Sequence, residues 1–234
     1  MSDQQKPHIS ISKNGSYCVI GPVPLVRKTQ MVSEYGEPLT WKKEATIETE
    51  ENEYYLCRCG NSQKFPFCDS THRRVPFDGT ETAEMGNFYE RQYTFPGGTN
   101  LVVRKNPSLC MEAGFCGLLN QSIRQMVPQT DNTQMRSLVI AMVERCPSGA
   151  LTYALNKDEE EIEPDLPIQI ADTTEITDDG PIIGPLWVTG NIEIERSDGV
   201  LLKTRNRVTL CNCGRSEIKP LCDGTHRKYP RIRK

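Results

Sequence analysis

CRCGNSQKFPFCDSTH, residues 57–72, returns near the other end of the chain as CNCGRSEIKPLCDGTH, residues 211–226. Nine of the 16 positions are identical and the alignment needs no gap. Self-similarity of this kind is the strongest organisational signal in the chain. There are three histidines, His8, His72 and His226, and two of them stand at matching places in the repeat. The repeat extends upstream more weakly. Tyr17 to Leu25 (YCVIGPVPL) and Trp187 to Ile194 (WVTGNIEI) each read as a β-strand with a glycine inside it. Extended, alternating segments, residues 53–56 and 207–210, lead into the two motifs.

The spacing C-x-C-x8-C-x3-H carries a chemistry. Thiolate is a soft ligand that suits iron–sulfur clusters, zinc and Cu(I). Cys57 and Cys59 grip one metal from a single loop, and Gly60 permits the tight turn that follows. Pro66 fixes the return of the chain. Cys68 and His72 are four apart, so on a helical turn they share a face and a second metal. Asp69 is placed to N-cap that turn. The same roles fall to Cys211, Cys213, Gly214, Pro220, Cys222, Asp223 and His226. Structural zinc is the competing reading, but zinc knuckles space their paired cysteines as C-x2–4-C rather than C-x-C.

These residues resemble the CDGSH (NEET) iron–sulfur family, whose signature is C-x-C-x2-S/T-x3-P-x-C-D-G-S/T/A-H. The second copy matches throughout, with Ser216 at the S/T place and CDGTH at its end. The first departs once, with Ser70 in place of the glycine. The resemblance implies a [2Fe–2S] cluster held by three Cys and one His at each copy: Cys57, Cys59, Cys68 and His72, then Cys211, Cys213, Cys222 and His226. It also implies a β-rich dimer, here formed within one chain as a pseudo-dimer. A histidine ligand raises the potential above the all-cysteine value, to about −300 to 0 mV by interpolation. It also implies proton-coupled redox and acid lability.

Between the repeats lies a third cysteine set. Cys110 and Cys116 bracket Met-Glu-Ala-Gly-Phe, and Cys146–Pro147 follows thirty residues on. Against the bacterial ferredoxin run C-x2-C-x2-C with a remote C-P, the middle position is Ala113. Three thiolates fit a [3Fe–4S] cluster. RCPSGALTY also resembles the divergent mono-cluster ferredoxin family over residues 100–155, and a [4Fe–4S] cluster is the alternative. Glu112 stands where that family commonly carries His, which leaves open an oxygen ligand to a fourth iron. A strand at Leu101 to Arg104, a helix capped by Asp131 and ending near Cys146, and a strand at Ala150 to Leu155 surround this segment. The expected class is therefore α+β, with two CDGSH-type units at 8–83 and 165–234 and a ferredoxin-like insert at 84–157.

The 234 residues are 36% apolar with net charge −3. Small cores stapled by metal clusters are expected, and a general nucleic-acid binder is not. The start MSDQQKPH lacks the apolar core of a signal peptide. The longest apolar run, Leu138 to Val143, is too short to span a bilayer. A reducing cytoplasm is expected, where ten cysteines read as ligands rather than disulfides. Cys18 reads as a buried free thiol and His8 as incidental. Asp158 to Asp165 reads as a solvated acidic linker. Arg58, Lys64, Arg73, Arg74 and the tail RKYPRIRK are the basic groups available to steer an acidic partner. No nucleotide loop or catalytic constellation is present, so an enzyme is not expected. Electron transfer with a redox partner is the first expectation. A cluster donor to an apo-acceptor, a redox or iron sensor, and an electron-carrying subunit of an oxidoreductase are the others.

Overall fold

The computed structural model describes residues 6–50, 52–86, 88–118 and 120–233; residues 1–5 of the polar start lie outside these. It is α+β, built mostly of small sheets with few helices. The first five strands are β1 (His8–Ile11), β2 (Tyr17–Ile20), β3 (Leu25–Val32), β4 (Pro38–Ile47) and β5 (Glu53–Leu56). The middle contributes β6 (Tyr93–Thr94), β7 (Val102–Lys105), β8 (Gly117–Leu118), β9 (Gln121–Ser122), α1 (Ile123–Met126), α2 (Thr133–Arg145) and β10 (Leu151–Ala154). The last part adds β11 (Gln169–Thr177), β12 (Gly180–Thr189), β13 (Glu193–Glu195), β14 (Arg207–Leu210) and α3 (Thr225–Lys228).

The two repeats are built alike. β5 pairs antiparallel with β2, Leu56 opposite Tyr17. β14 pairs antiparallel with β12, Leu210 opposite Leu186. On β2 the alternation puts Tyr17 and Val19 inward, and on β5 it does so for Tyr54 and Leu56. Each cysteine motif therefore leaves the end of a strand already fixed by burial. Beyond Gly21 (φ 88), β3 crosses to the other half and pairs parallel with β11, Leu25 beside Ile170. Beyond Gly190 (φ 82), β13 crosses back and pairs parallel with β1, Glu193 beside His8. The first half thus gives the β3–β4 hairpin to the second, and the second gives β13 to the first. The resulting sheets run β13-β1-β2-β5 and β14-β12-β11-β3-β4.

One core serves all three segments. Tyr17, Val19 and Leu56 from the first pack with Val103, Leu109, Val139 and Val143 from the middle and Ile170, Leu186 and Leu210 from the last. Each such side chain, fully buried, contributes about 1.5–3 kcal/mol. The middle segment is a three-stranded sheet, β10-β7-β6, with α2 packed beside it.

Several local expectations shift. Asn132, not Asp131, caps α2: its backbone is extended, and its side chain accepts from Gln134 and Met135 amides at 2.9 and 3.1 Å. His8 sits in β1, 3.1 Å from Glu195. Cys18 is half-exposed, because the alternation of β2 turns it outward. The acidic stretch is partly docked rather than freely solvated. Glu161 accepts from Thr152 at 2.6 Å and Glu163 pairs with Arg207 at 2.8 Å. Among the described residues, no helix is long and apolar enough to cross a membrane.

Candidate metal centres

Both motifs fold into the same cradle. The amide of Cys57 donates to Pro66 O, and that of Cys211 to Pro220 O, each at 2.8 Å. The amides of Cys68 and Cys222 return to the carbonyls of Tyr55 and Thr209, each at 2.9 Å. Ser62 and Ser216 close the loops by donating to Phe67 O and Leu221 O at 2.6 and 2.7 Å. Asp69 does not occupy the N-cap position. It ties two loops together instead, accepting from the amides of Gln63 and Thr71 at 2.9 and 3.0 Å. Asp223 does the same with Glu217 and Thr225 at 2.8 and 2.9 Å. The Thr71 side chain, with these amides, holds Asp69 below the usual carboxylate range; at Asp223 burial opposes the shift, and its hydrogen-bond donors still bring it below that range.

The donor atoms stand in pairs. Cys57 and Cys59 Sγ are 3.8 Å apart, and Cys211 and Cys213 Sγ are 3.7 Å apart. Cys68 Sγ and His72 Nδ1 are 3.4 Å apart, as are Cys222 Sγ and His226 Nδ1. Two thiolates on one tetrahedral ion with bonds of about 2.3 Å lie about 3.8 Å apart, and a thiolate and an imidazole nitrogen lie about 3.5 Å apart. The residues therefore fit a two-metal group with two protein ligands on each metal. Among the described residues, no three His, Cys, Asp or Glu are grouped to hold a single ion. Within each C-x-C pair the thiols share a hydrogen bond, which lowers Cys57 and Cys211 and raises Cys59 and Cys213. Burial raises Cys222, so its thiolate needs a neighbouring positive charge.

The cradles face each other. A side-chain carbon on Gly60 (φ 79) would lie 2.6 Å from Cys213 O, and one on Gly214 (φ 77) would lie 2.7 Å from Cys59 O. Tyr17 OH donates to Cys211 O at 2.7 Å from the first half. Arg231 donates to Gly60 O at 2.8 Å and to Asn212 O at 3.2 Å, bridging both loops.

They are unequal in exposure. Cys211, Cys213, Cys222 and His226 are all buried, whereas Cys68 and His72 are only half-buried. His226 Nε2 lies 3.0 Å from Glu175, a fully buried carboxyl that also binds Arg227. The basic groups divide the same way. Arg58 is buried on Glu81, Arg231 serves the cradle loops, and Arg233 binds Asp172 at 2.6 Å. Lys64, Arg73 and Arg74 are exposed beside the first cradle.

In the middle segment, Cys110, Cys116 and Cys146 line one small cavity of about 40 Å³ together with Lys105, Glu112 and Pro147. Asn106 shapes the approach, its side chain accepting from Ser108 N at 3.0 Å while its own amide donates to Ala150 O at 2.8 Å. Arg207 ties the end of α2 in place by donating to the carbonyls of Val143, Glu144 and Cys146 at 2.8–2.9 Å. Burial raises the Cys116 thiol. The Glu112 carboxyl reaches towards Gly224 of the second cradle.

Glu175, Gln30 and Arg207 escaped the sequence reading. Each acts across the fold from a strand, and no spacing links it to a cysteine.

The model of the iron-binding zinc finger CDGSH type matches residues 14–73 and 183–227. The model of the divergent 4Fe-4S mono-cluster matches residues 97–156. No curated protein matches the chain. No solved structure matches it either. The chain therefore carries two CDGSH-type segments on either side of a divergent 4Fe-4S mono-cluster segment, and is an iron–sulfur protein.

Proposed function

We propose that the chain is a multi-cluster electron-transfer protein rather than an enzyme. Cys57, Cys59, Cys68 and His72 hold one [2Fe–2S] cluster, and Cys211, Cys213, Cys222 and His226 hold another. Cys110, Cys116 and Cys146 hold a third. The clusters supply one-electron chemistry; the protein supplies ligands, burial and mutual orientation. The observation that carries this reading is the pairing of donors in both cradles, sulfur to sulfur and sulfur to Nδ1, at spacings suited to two metals.

The exchanged strands and the contacts of Gly60 and Gly214 support an intrachain pseudo-dimer. At the central site, position 113 is a buried alanine with no donor atom, which leaves three thiolates and favours [3Fe–4S] over [4Fe–4S]. The setting is a reducing cytoplasm and the partner a redox protein. The half-exposure of Cys68 and His72 favours one second reading, donation of the first cluster to an apo-acceptor.

Anaerobic purification with iron and sulfide counts, and EPR in both redox states, tests the proposal. Two reduced-state [2Fe–2S] signals and an oxidised-state three-iron signal are expected. A colourless, zinc-loaded protein overturns it. Rapid reduction by a ferredoxin or flavodoxin reductase supports electron transfer, whereas cluster loss to an apo-acceptor on mixing supports donation.

A further inference from the structure

The glycine of the second CDGTH turn lies against a side chain of the central loop. A side-chain carbon on Gly224 (φ 86) would lie 3.0–3.1 Å from Cγ, Cδ and Oε2 of Glu112. Glu112 belongs to the central loop between Cys110 and Cys116. Met111, Ala113 and Phe115 of that loop are buried in one cluster with Cys222. Trp41 completes the cluster, 5.4 Å from Phe115 and 5.6 Å from Trp187 between ring centres. Ser70, at the matching place in the first cradle, is exposed.

The loop is also fastened to the support of the second cradle. Buried Gln30 donates to Ala113 O at 2.7 Å and accepts from the Ile176 amide at 3.3 Å. Ile176 follows Glu175, which holds His226. One buried amide thus joins the thiol-bearing loop to the strand behind the histidine.

We propose that loop 110–116 is the cover of the second cradle, held shut by the iron–sulfur group on Cys110, Cys116 and Cys146. This rests on the three-cluster reading above. The loop has no regular structure between Leu109 and Gly117, and it contains Glu112 at φ 62 and Gly114 at φ 84. Tied at its thiolates, such a loop has few conformations to lose. Untied, it keeps the Gln30 bond, the bond from the Ile123 amide to Cys116 O and the packing of its apolar side chains, but loses the cross-link between its ends and Cys146. Emptying the central site therefore opens the second cradle and leaves the first as it was. The serine–glycine difference between the repeats follows from the same contact, because a side chain at Gly224 would displace Glu112.

The test compares anaerobic cluster loss into excess EDTA for the full chain, Cys116→Ser and Glu112→Gly, with a His72→Cys background marking the first site's spectrum. Cys116→Ser removes a tie, while Glu112→Gly removes the covering side chain without touching a thiol and suits the positive φ. Both are expected to speed loss from the second site on the order of tenfold, with loss from the first unchanged. Unaltered second-site rates in both variants overturn the cover, as does an equal rise at both outer sites. Full-chain protein without iron on the central thiols sinks the three-cluster reading and the tie together. Central iron present with unaltered second-site loss sinks the cover alone.

Discussion

His226 Nε2 and Glu175 Oε1 lie 3.0 Å apart, and the carboxyl is fully buried. No described residue makes such a bond to His72. A carboxyl behind a ligating imidazole fixes its tautomer and ring orientation, and losing it typically weakens a site by about 10–100-fold. Glu175→Ala should accelerate loss of the second cluster by that order and leave the first alone. Glu175→Gln keeps an acceptor oxygen and should recover most of the difference. The measurement is the decay of each cluster's visible band in chelator. Equal decay for Ala and Gln variants would assign Glu175 a purely space-filling part.

His72 gives the pH response. Partial burial lowers its pKa first, and the neighbouring Arg73 lowers it further, against the opposing pull of Asp69. A histidine whose folded pKa is lowered binds fewer protons folded than unfolded, so stability rises with pH across the interval between the two values. A metal held by His72 would work in the same direction, since the ligand must be neutral. The first cluster should therefore be retained above pH 6.5 or so and lost progressively as pH falls below it. His72→Cys should flatten that profile far more than His226→Cys does, followed by absorbance between pH 8 and 5. Identical profiles for the two variants would contradict the inequality of the sites.

The cradles were legible because their ligands are local. Spacing alone pairs Cys57 with Cys59 and Cys68 with His72, and the structure brings those atoms within 3.8 Å and 3.4 Å. The flanking strands were legible from alternation, as at Tyr17 and Val19. The hairpin of β3 and β4 was not, because β4 carries a mostly exposed run around Lys42, Lys43 and Glu44 that shows no buried face. The inequality of the sites was hidden for another reason. It depends on Glu175 and Glu112, whose partners lie 51 and 112 positions away along the chain. The basic tail misled for the same reason: Arg231 and Arg233 look free in sequence but bind Gly60 and Asp172.

Gly60 and Gly214 meet where the two cradles touch. Each has positive φ, and each faces the partner loop's backbone too closely for a methyl group. Gly60→Ala should cost about 2–5 kcal/mol, combining left-handed strain with overpacking against Cys213 O. Gly214→Ala should cost a similar amount against Cys59 O. Urea midpoints on the anaerobic protein measure this. Gly36→Ala is the control, since it shares the positive φ but has nothing within 4 Å, so it should show the strain alone.

Arg207 separates two kinds of stabilisation in one side chain. Its guanidinium is buried and donates to the carbonyls of Val143, Glu144, Cys146 and Leu151, all at 2.8–3.1 Å. It also pairs with Glu163, which is about a third exposed. The carbonyls at the end of α2 have no further helical amide to meet, so the arginine replaces the missing turn. It does so from β14, the strand that leads into Cys211. Arg207→Met leaves those carbonyls and the Glu163 carboxyl without their donor and should cost about 3–5 kcal/mol. In a chain of this size that lowers the thermal midpoint by about 6–20 °C. Glu163→Gln removes only the ion pair and should cost about 1 kcal/mol or less, because its exposed end is screened. If the carbonyl bonds hold Cys146 in register with Cys110 and Cys116, Arg207→Met also lowers central iron, whereas Glu163→Gln does not. Equal losses in the two variants would mean that the ion pair, not the carbonyl cluster, fixes the end of α2.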